Sequence, residues 1–202
     1  MIFKNQHAYT CDRSTETAIA DVVNYIEANS LRGKGKHCIT TFMDISGAYD
    51  NAPYMHITSS MRKYGAPDEF VRYYENYLHN RQTTIQIGNY KHTKNLVVGV
   101  SQGSILSCVA WIFYLNDLIV SNDKGPHRVK AYADDIAAQN SGPFLNQVVI
   151  SATENARNIC EWTNAHGLQI NPTKCDVIKE VHLLERRQET PQPCKMRDMP
   201  PS

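Results

Sequence analysis

Two short runs of strand-forming residues, Val129 to Tyr132 and Ile136 to Gln139, are separated only by Ala133-Asp134-Asp135. Such spacing predicts a β-hairpin with two carboxylates at its tip. A third run, His37 to Met43, is rich in apolar and β-branched residues and ends directly at Asp44, so a strand there delivers another carboxylate to its C-terminal end. Strands this short need helices to cover them, and the chain supplies helical spacing on both sides. Ser14 is placed to cap a helix over about 15–29, in which Ala18, Ile19, Val22, Val23 and Ile26 recur on one face. Pro53 opens a second helix to about Tyr64, where Gly65 stops it, and Pro67 opens a third through Leu78. Gly88-Asn89 separates Thr83 to Ile87 from Tyr90 to Val98, as in a second hairpin. An apolar helix over 105–119 and a long amphipathic one over 145–166 follow, and a short strand is expected at 175–178. The expected class is α+β, a small antiparallel sheet packed on helices.

Composition removes several alternatives. The 202 residues are 42% hydrophobic and 20% charged, as in an ordinary globular domain. A formal charge of +1 provides no argument from net charge for polyanion or membrane binding. No unbroken run of about 18 apolar residues occurs, and the opening Met1-Ile2-Phe3-Lys4 leads into no apolar signal region, so no membrane partner and an intracellular address are expected, cytoplasm or nucleus being left open. The six cysteines contain no C-x-x-C pair, which favours free thiols over zinc; Cys160, His166 and Cys175 lack ligand spacing. Charge is uneven locally. Residues 61–100 carry Arg62, Lys63, Arg72, Arg81, Lys91 and Lys94 against Asp68, Glu69 and Glu75, consistent with a basic face or with an ordinary solvated surface. Leu31 to Lys36 reads as a flexible basic loop. Residues 180–202, with four prolines and mixed charges, read as a poorly ordered polar tail after a domain spanning 1–179.

Three carboxylates from two separate segments are the pattern with chemical content. Two Mg²⁺ ions about 3.5–4 Å apart need hard oxygen ligands from more than one direction, and a pair of acids on a tight turn opposite a third can provide them. A pair of aspartates also simply favours a turn. After Asp44, the small-residue turn Ser46-Gly47-Ala48 would present backbone amides to phosphate oxygens. Tyr49 would lie under a sugar or serve as a core aromatic.

These segments resemble the palm of a reverse transcriptase of the non-LTR (LINE-type) retrotransposon family, and they occur in that family's order. Gln6-His7-Ala8-Tyr9 with Arg13-Ser14-Thr15 is similar to the fingers pattern Q-x-G-F-R-x-x-R-S-T. Asp44 to Asp50 is similar to motif A, D-I-x-G-A-[FY]-D, and Gly99 to Ser107 to motif B, G-x-P-Q-G-S-x-L-S-P. Tyr132-Ala133-Asp134-Asp135 matches the Y-A-D-D of motif C, and Trp162 to Lys174 resembles motif D, W-x-x-x-x-G-L-x-x-N-x-x-K. Five patterns in register cover roughly residues 6–178.

The resemblance implies a reverse-transcriptase palm with partial fingers, the thumb and primer grip being absent. It implies that Asp44 and Asp134 ligate two Mg²⁺ ions, with Mn²⁺ as a substitute, that Asp135 completes the acidic cluster, and that the Ile45 carbonyl adds a ligand. Tyr49 matches the aromatic gate that excludes a ribose 2′-hydroxyl. Gln102, with Gly103 beside it, matches the motif B glutamine near the incoming nucleotide and template, Lys174 matches the lysine at the departing pyrophosphate, and Arg13 is a candidate triphosphate contact. The implied partners are an RNA template, a DNA primer, a dNTP and other retroelement proteins. Departures are local: Ala8 and Thr10 replace Gly and Arg, while Ser101 and Cys108 replace motif B prolines. Two further readings stand beside RNA-directed DNA polymerase. One is a truncated, inactive remnant that at most binds nucleic acid or a partner. The other is a metal-dependent nuclease, which would need neither Tyr49 nor Gln102.

Overall fold

The structure is a computed structural model that describes residues 4–31, 36–79 and 81–180. Helix α1 (Thr15–Ile26) begins at a reciprocal capping box, in which the Ser14 hydroxyl accepts from the Thr17 amide and the Thr17 hydroxyl accepts from the Ser14 amide. It runs into a π-helical turn, Glu27–Leu31, where the Asn29 amide group donates to the Tyr25 carbonyl, so the regular helix stops at Ile26, the last of its apolar positions, short of the expected end near residue 29. Strand β1 (His37–Asp44) follows, then a short helix α2 (Ala48–Asn51), α3 (Tyr54–Lys63) with Pro53 at its N-cap, and α4 (Asp68–His79). Strands β2 (Gln82–Ile87) and β3 (Tyr90–Asn95) form the hairpin at Gly88-Asn89. Helix α5 (Ile105–Asn122), β4 (His127–Tyr132), β5 (Asp135–Gly142), α6 (Leu145–Ala165), a 3₁₀ turn at Pro172–Lys174 and β6 (Asp176–Glu180) complete the order. Residues 32–35 of the expected basic loop and the segment beyond 180 lie outside the described residues.

The main sheet is antiparallel, in the order β4-β5-β1-β6. Residues near Gln6 extend its β4 edge, where the His7 amide donates to the Ala131 carbonyl at 3.0 Å. Alternation along the strands divides the two faces. Met43, Val129, Ala131, Ile136 and Ala138 enter the core with α5 and α6, while Ile39 packs separately on Val148 and Ala152 of α6. On the opposite face, Gln139 donates to the Val22 carbonyl at 3.2 Å and the Lys130 ammonium lies 2.7 Å from Asp21, which binds α1 to the sheet.

Helix α5 is the centre of the core. It is long and apolar enough to cross a bilayer, which the absence of an unbroken apolar run did not anticipate, yet Ala110, Trp111, Tyr114, Leu115 and Leu118 are buried inside the fold against α3, α6 and the sheet. The five described cysteines are free.

One charge enters this core. Asp117 on α5 accepts hydrogen bonds from the Lys63 ammonium and, at 2.7 Å, from the Tyr64 hydroxyl. Burial pushes its pKa up, but these two donors, with His166 nearby, outweigh burial and hold the carboxyl below its ordinary value of 3.8. A depressed carboxyl pKa contributes stability above the unfolded value that is lost as pH falls through the folded one. Asp117→Asn is therefore expected to lower stability by about 1–2 kcal/mol at neutral pH, Lys63 being largely solvated. It should also flatten the acid limb of melting temperature against pH. Circular-dichroism melts of both proteins check this, and an equal acid loss in the two would refute it.

Candidate active site

The acidic turn between β4 and β5 is set by backbone conformation. Ala133 lies in the left-handed region at φ +54°, unusual for a residue with a Cβ, and the Trp111 indole N–H donates to its carbonyl at 3.0 Å. The Asp134 carbonyl accepts from the Ile45 amide at 3.4 Å, so the turn lies against the end of β1. On the other side of β1, the Asn171 amide donates to the Asp44 carbonyl and the Ser46 amide to the Gln169 carbonyl, both at 2.8 Å. The Asn171 side chain caps the 3₁₀ turn by accepting from the Thr173 amide and hydroxyl. Lys174 then stands at the end of that turn with its ammonium 3.1 Å from Asp44 Oδ1.

The segment after β1 folds back over the acids. Its contact with the next loop is close: the Gly99 amide donates to the Ala52 carbonyl at 2.9 Å, and a Cβ on Gly99 would lie 2.5 Å from the Asp50 carbonyl oxygen. Only glycine fits, and its φ of +81° points the same way. Tyr49 stacks on Trp111 with ring centroids 5.2 Å apart and donates through its hydroxyl to that of Tyr9 at 3.3 Å. Burial, reinforced by the Tyr9 hydroxyl, pushes the Tyr49 pKa far up, so this is a neutral phenol. The Gln102 amide donates to Asp50 Oδ1 at 3.2 Å. Ser101, at a motif B proline position, accepts from Arg81 at 3.1 Å and lies 2.9 Å from the Tyr77 hydroxyl, partners a proline could not have.

A cleft of about 330 Å³ is lined by Asp44, Ile45, Ser46, Gly47, Ala48, Tyr49, Gln102, Asp134, Asn171 and Lys174. Six of the nine residues singled out in the sequence thus share one cavity. Asp135 is the ladder partner of Asp44 but lines the neighbouring apolar groove beneath α1, which Lys174 also reaches. Gly103 sits in the loop at φ +83° without lining the cleft. Arg13 is directed elsewhere: its guanidinium donates to the carbonyls of Lys4 and Gln6 at 2.6 and 3.1 Å, closing the turn ahead of α1. Tyr9 and Asn171 stand in the fingers and motif D patterns without an assigned role, and Trp111 stands in none; the fold gives each a contact at the site. Trp111 resembles any other core aromatic of an apolar helix, and only the fold brings its N–H to Ala133.

The electrostatics of the tip are those of crowded like charge. Burial, then the charges of Asp134 and Asp44, push the Asp135 pKa up, with Lys174 opposing them. A set of hard oxygen donors under this repulsion fits a divalent cation. Among the described residues no three carboxylate, imidazole or thiolate groups converge on a single point, and the positive charge opposite Asp44 is the Lys174 ammonium.

The sequence matches the family described as reverse transcriptase (RNA-dependent DNA polymerase) over residues 1–187, and the chain belongs to that family. It is 26% identical over 166 residues to the retrovirus-related Pol polyprotein from type-1 retrotransposable element R2 of Popillia japonica, covering 77% of this chain and 26% of that protein. It is 24% identical over 169 residues to the probable RNA-directed DNA polymerase from transposon X-element of Drosophila melanogaster, covering 82% of this chain and 18% of the relative. The chain therefore spans about a quarter or less of the length of these relatives. Among solved structures, the fold is similar to apo telomerase from Candida tropicalis truncated from its C-terminal domain, with a TM-score of 0.66 at 13% identity, over 89% of this chain and 37% of that one. Telomerase from the same organism in complex with a fragment of telomeric RNA has a TM-score of 0.64 at 12% identity, over 87% and 30%.

The bond from Trp111 to Ala133 can be tested apart from the ring packing. Trp111→Phe keeps an aromatic against Tyr49 and removes the donor together with part of the ring volume, so recovery by a turn substitution, rather than the loss itself, reports the bond. The variant is expected to lose about 1–3 kcal/mol in denaturant unfolding, and Ala133→Gly in the same background should recover part of it by relaxing the left-handed turn. Unchanged stability in Trp111→Phe would show that the turn does not depend on the indole.

Proposed function

We propose that the chain carries the nucleotidyl-transfer centre of an RNA-directed DNA polymerase, extending a DNA primer with dNTPs on an RNA template. The observation that carries this reading is the meeting of Asp44 and Asp134 with Tyr49, Gln102 and Lys174 in one cleft, reached from four separate stretches of chain. A nuclease would need the acids but neither the aromatic nor the glutamine.

Two Mg²⁺ ions, or Mn²⁺ in their place, held by Asp44 and Asp134 with the Ile45 carbonyl and with Asp135 completing the acidic cluster, would acidify the primer 3′-hydroxyl and steady the leaving pyrophosphate. The remaining work belongs to side chains. Tyr49, backed by Trp111, presents a rigid ring edge where a ribose 2′-hydroxyl would sit. Gln102 lies beside it to meet the nucleotide or template base. Lys174 exchanges Asp44 for the phosphate oxygens of the departing pyrophosphate, which it neutralises or protonates. Sequence would be read by pairing with the template, leaving the protein to hold backbones. Arg13, engaged with the carbonyls of Lys4 and Gln6, would reach a triphosphate only by leaving them. Other retroelement proteins would be further partners.

Primer extension on poly(rA) with oligo(dT), dTTP and Mg²⁺ is the direct test. Incorporation is expected, and Asp134→Asn should lower it at least about a hundredfold. Lys174→Ala should slow incorporation by about a hundredfold without changing the choice between dNTP and rNTP. Tyr49→Ala should admit ribonucleotides while Tyr49→Phe should not, because the gate is the ring rather than the phenol. A folded protein without incorporation would refute activity in this chain, and Mg²⁺-dependent cleavage of labelled single strands would favour the nuclease.

A further inference from the structure

The β2–β3 hairpin is absent from the reaction above, although every residue of both strands is exposed. Two strands without a third are marginal in water, so an open hairpin face has few reasons to persist without a ligand or partner. The register divides it into unlike faces. On one, Gln82 bonds Asn95 at 2.9 Å and Thr84 meets Thr93 at 3.0 Å, so its polar groups satisfy one another. On the other, Thr83, Ile85 and Ile87 stand opposite Lys94, His92 and Tyr90. This second face is open: Ile85, Ile87 and Tyr90 are 58%, 73% and 67% exposed.

The charge around it has one sign. Neither Asp nor Glu occurs between Glu75 and Asp117, while Arg81, Lys91 and Lys94 lie in that interval together with His79 and His92. The bias seen over residues 61–100 is therefore concentrated on this hairpin and its base. The base also adjoins the site. A groove of about 500 Å³ runs from Arg81, Gln82 and Leu96 to Asp50 and Gln102, the latter a residue of the catalytic cleft. Hydrogen bonds from the Tyr54 hydroxyl to the carbonyls of Leu96 and Val98, at 3.1 and 3.2 Å, hold the hairpin's exit strand to the palm.

Two rings, Tyr90 and His92, followed by the Lys94 ammonium on an acid-free face suit a single nucleic-acid strand, whose bases stack on rings and whose phosphates meet ammonium groups. Building on the polymerase reading, we propose that the Tyr90–His92–Lys94 face of the hairpin is a docking surface for single-stranded RNA template, Tyr90 and His92 stacking bases and Lys94 contacting phosphate. The groove leads the strand on toward Gln102.

The two faces provide an internal control, because Lys91 shares the polar face with Thr93 and Asn95. Fluorescence anisotropy of a labelled oligo(rA) with the full chain, over a salt series, is expected to show Tyr90→Ala and Lys94→Ala each weakening binding by about tenfold. Lys94→Ala should also reduce the salt slope by roughly 0.7, and Lys91→Ala should cost less than about twofold. Matching circular-dichroism melts would establish that these exposed substitutions leave the fold intact. Equal losses at Lys91 and Lys94 with none at Tyr90 would overturn the proposal, as would no binding by the unsubstituted chain at low salt. Self-association that Tyr90→Ala abolishes while RNA affinity holds would assign the face to a second copy instead. Hairpin-dependent RNA binding without primer extension would remove the polymerase reading and leave this surface standing, whereas extension that ignores both substitutions would do the reverse.

Discussion

Asp44 ends β1 directly across the ladder from Asp135, and the register that places it there governs the rest of the site. Side chains alternate along a strand, so a slip of one residue would turn Asp44 into the core beneath α5 and α6 and bring Met43, a core residue, to the other face. The register is held from both sides, because β1 pairs with β5 along one edge and with β6 along the other. It is also held from both faces, by Ile136 and Ala138 in the core and by the hydrogen bond from Gln139 to Thr40 at 3.4 Å on the other. Two carboxylates facing each other at the end of a ladder repel, and the chain offsets this with Lys174. That lysine is delivered by a 3₁₀ turn whose first anchor is the Asp44 carbonyl itself. Backbone and side chain of one aspartate thus organise the strand end, the turn and the counter-charge together.

A second line of dependence passes through Trp111. Its ring supports Tyr49, its N–H holds the Ala133 turn, and its edge meets Tyr114, which lies in turn against Trp162. The helix that centres the hydrophobic core is therefore also the element against which Tyr49 and the acidic tip are positioned. Precision at the cleft follows from packing density below it, since a close-packed interior leaves the indole little room to move.

Local chemistry carried much of this into the sequence. The apolar spacing of α1 and α6, Pro53 and Pro67 at helix starts, Gly88-Asn89 between strands, and Asp44 and Asp134 at strand ends each state a short-range preference that the fold obeys. Asp44, Tyr49, Gln102, Asp134 and Lys174 were legible as a set because five motifs stood in order, and the cleft does bring them together. The less legible features depend on distant partners. Arg13 is turned to the carbonyls of Lys4 and Gln6, Asp135 lines the groove under α1 although it adjoins Asp134, and the π-helical turn at Glu27–Leu31 replaces the last turn of a helix expected to run to about residue 29. No local pattern encodes which face of a hairpin tip a helix will cover.

The position of α5 in chain order has a consequence for how the molecule is made. Its apolar surface is covered by α3, which precedes it, and by β4 and α6, which follow it. During synthesis the most hydrophobic helix therefore emerges before half of its cover exists, and burial waits until α6 is complete. Over that interval the segment resembles a nascent membrane span more than a folded core. Its shielding by chaperones, or its premature association with other chains, would shape the yield of this protein before any nucleic acid is met.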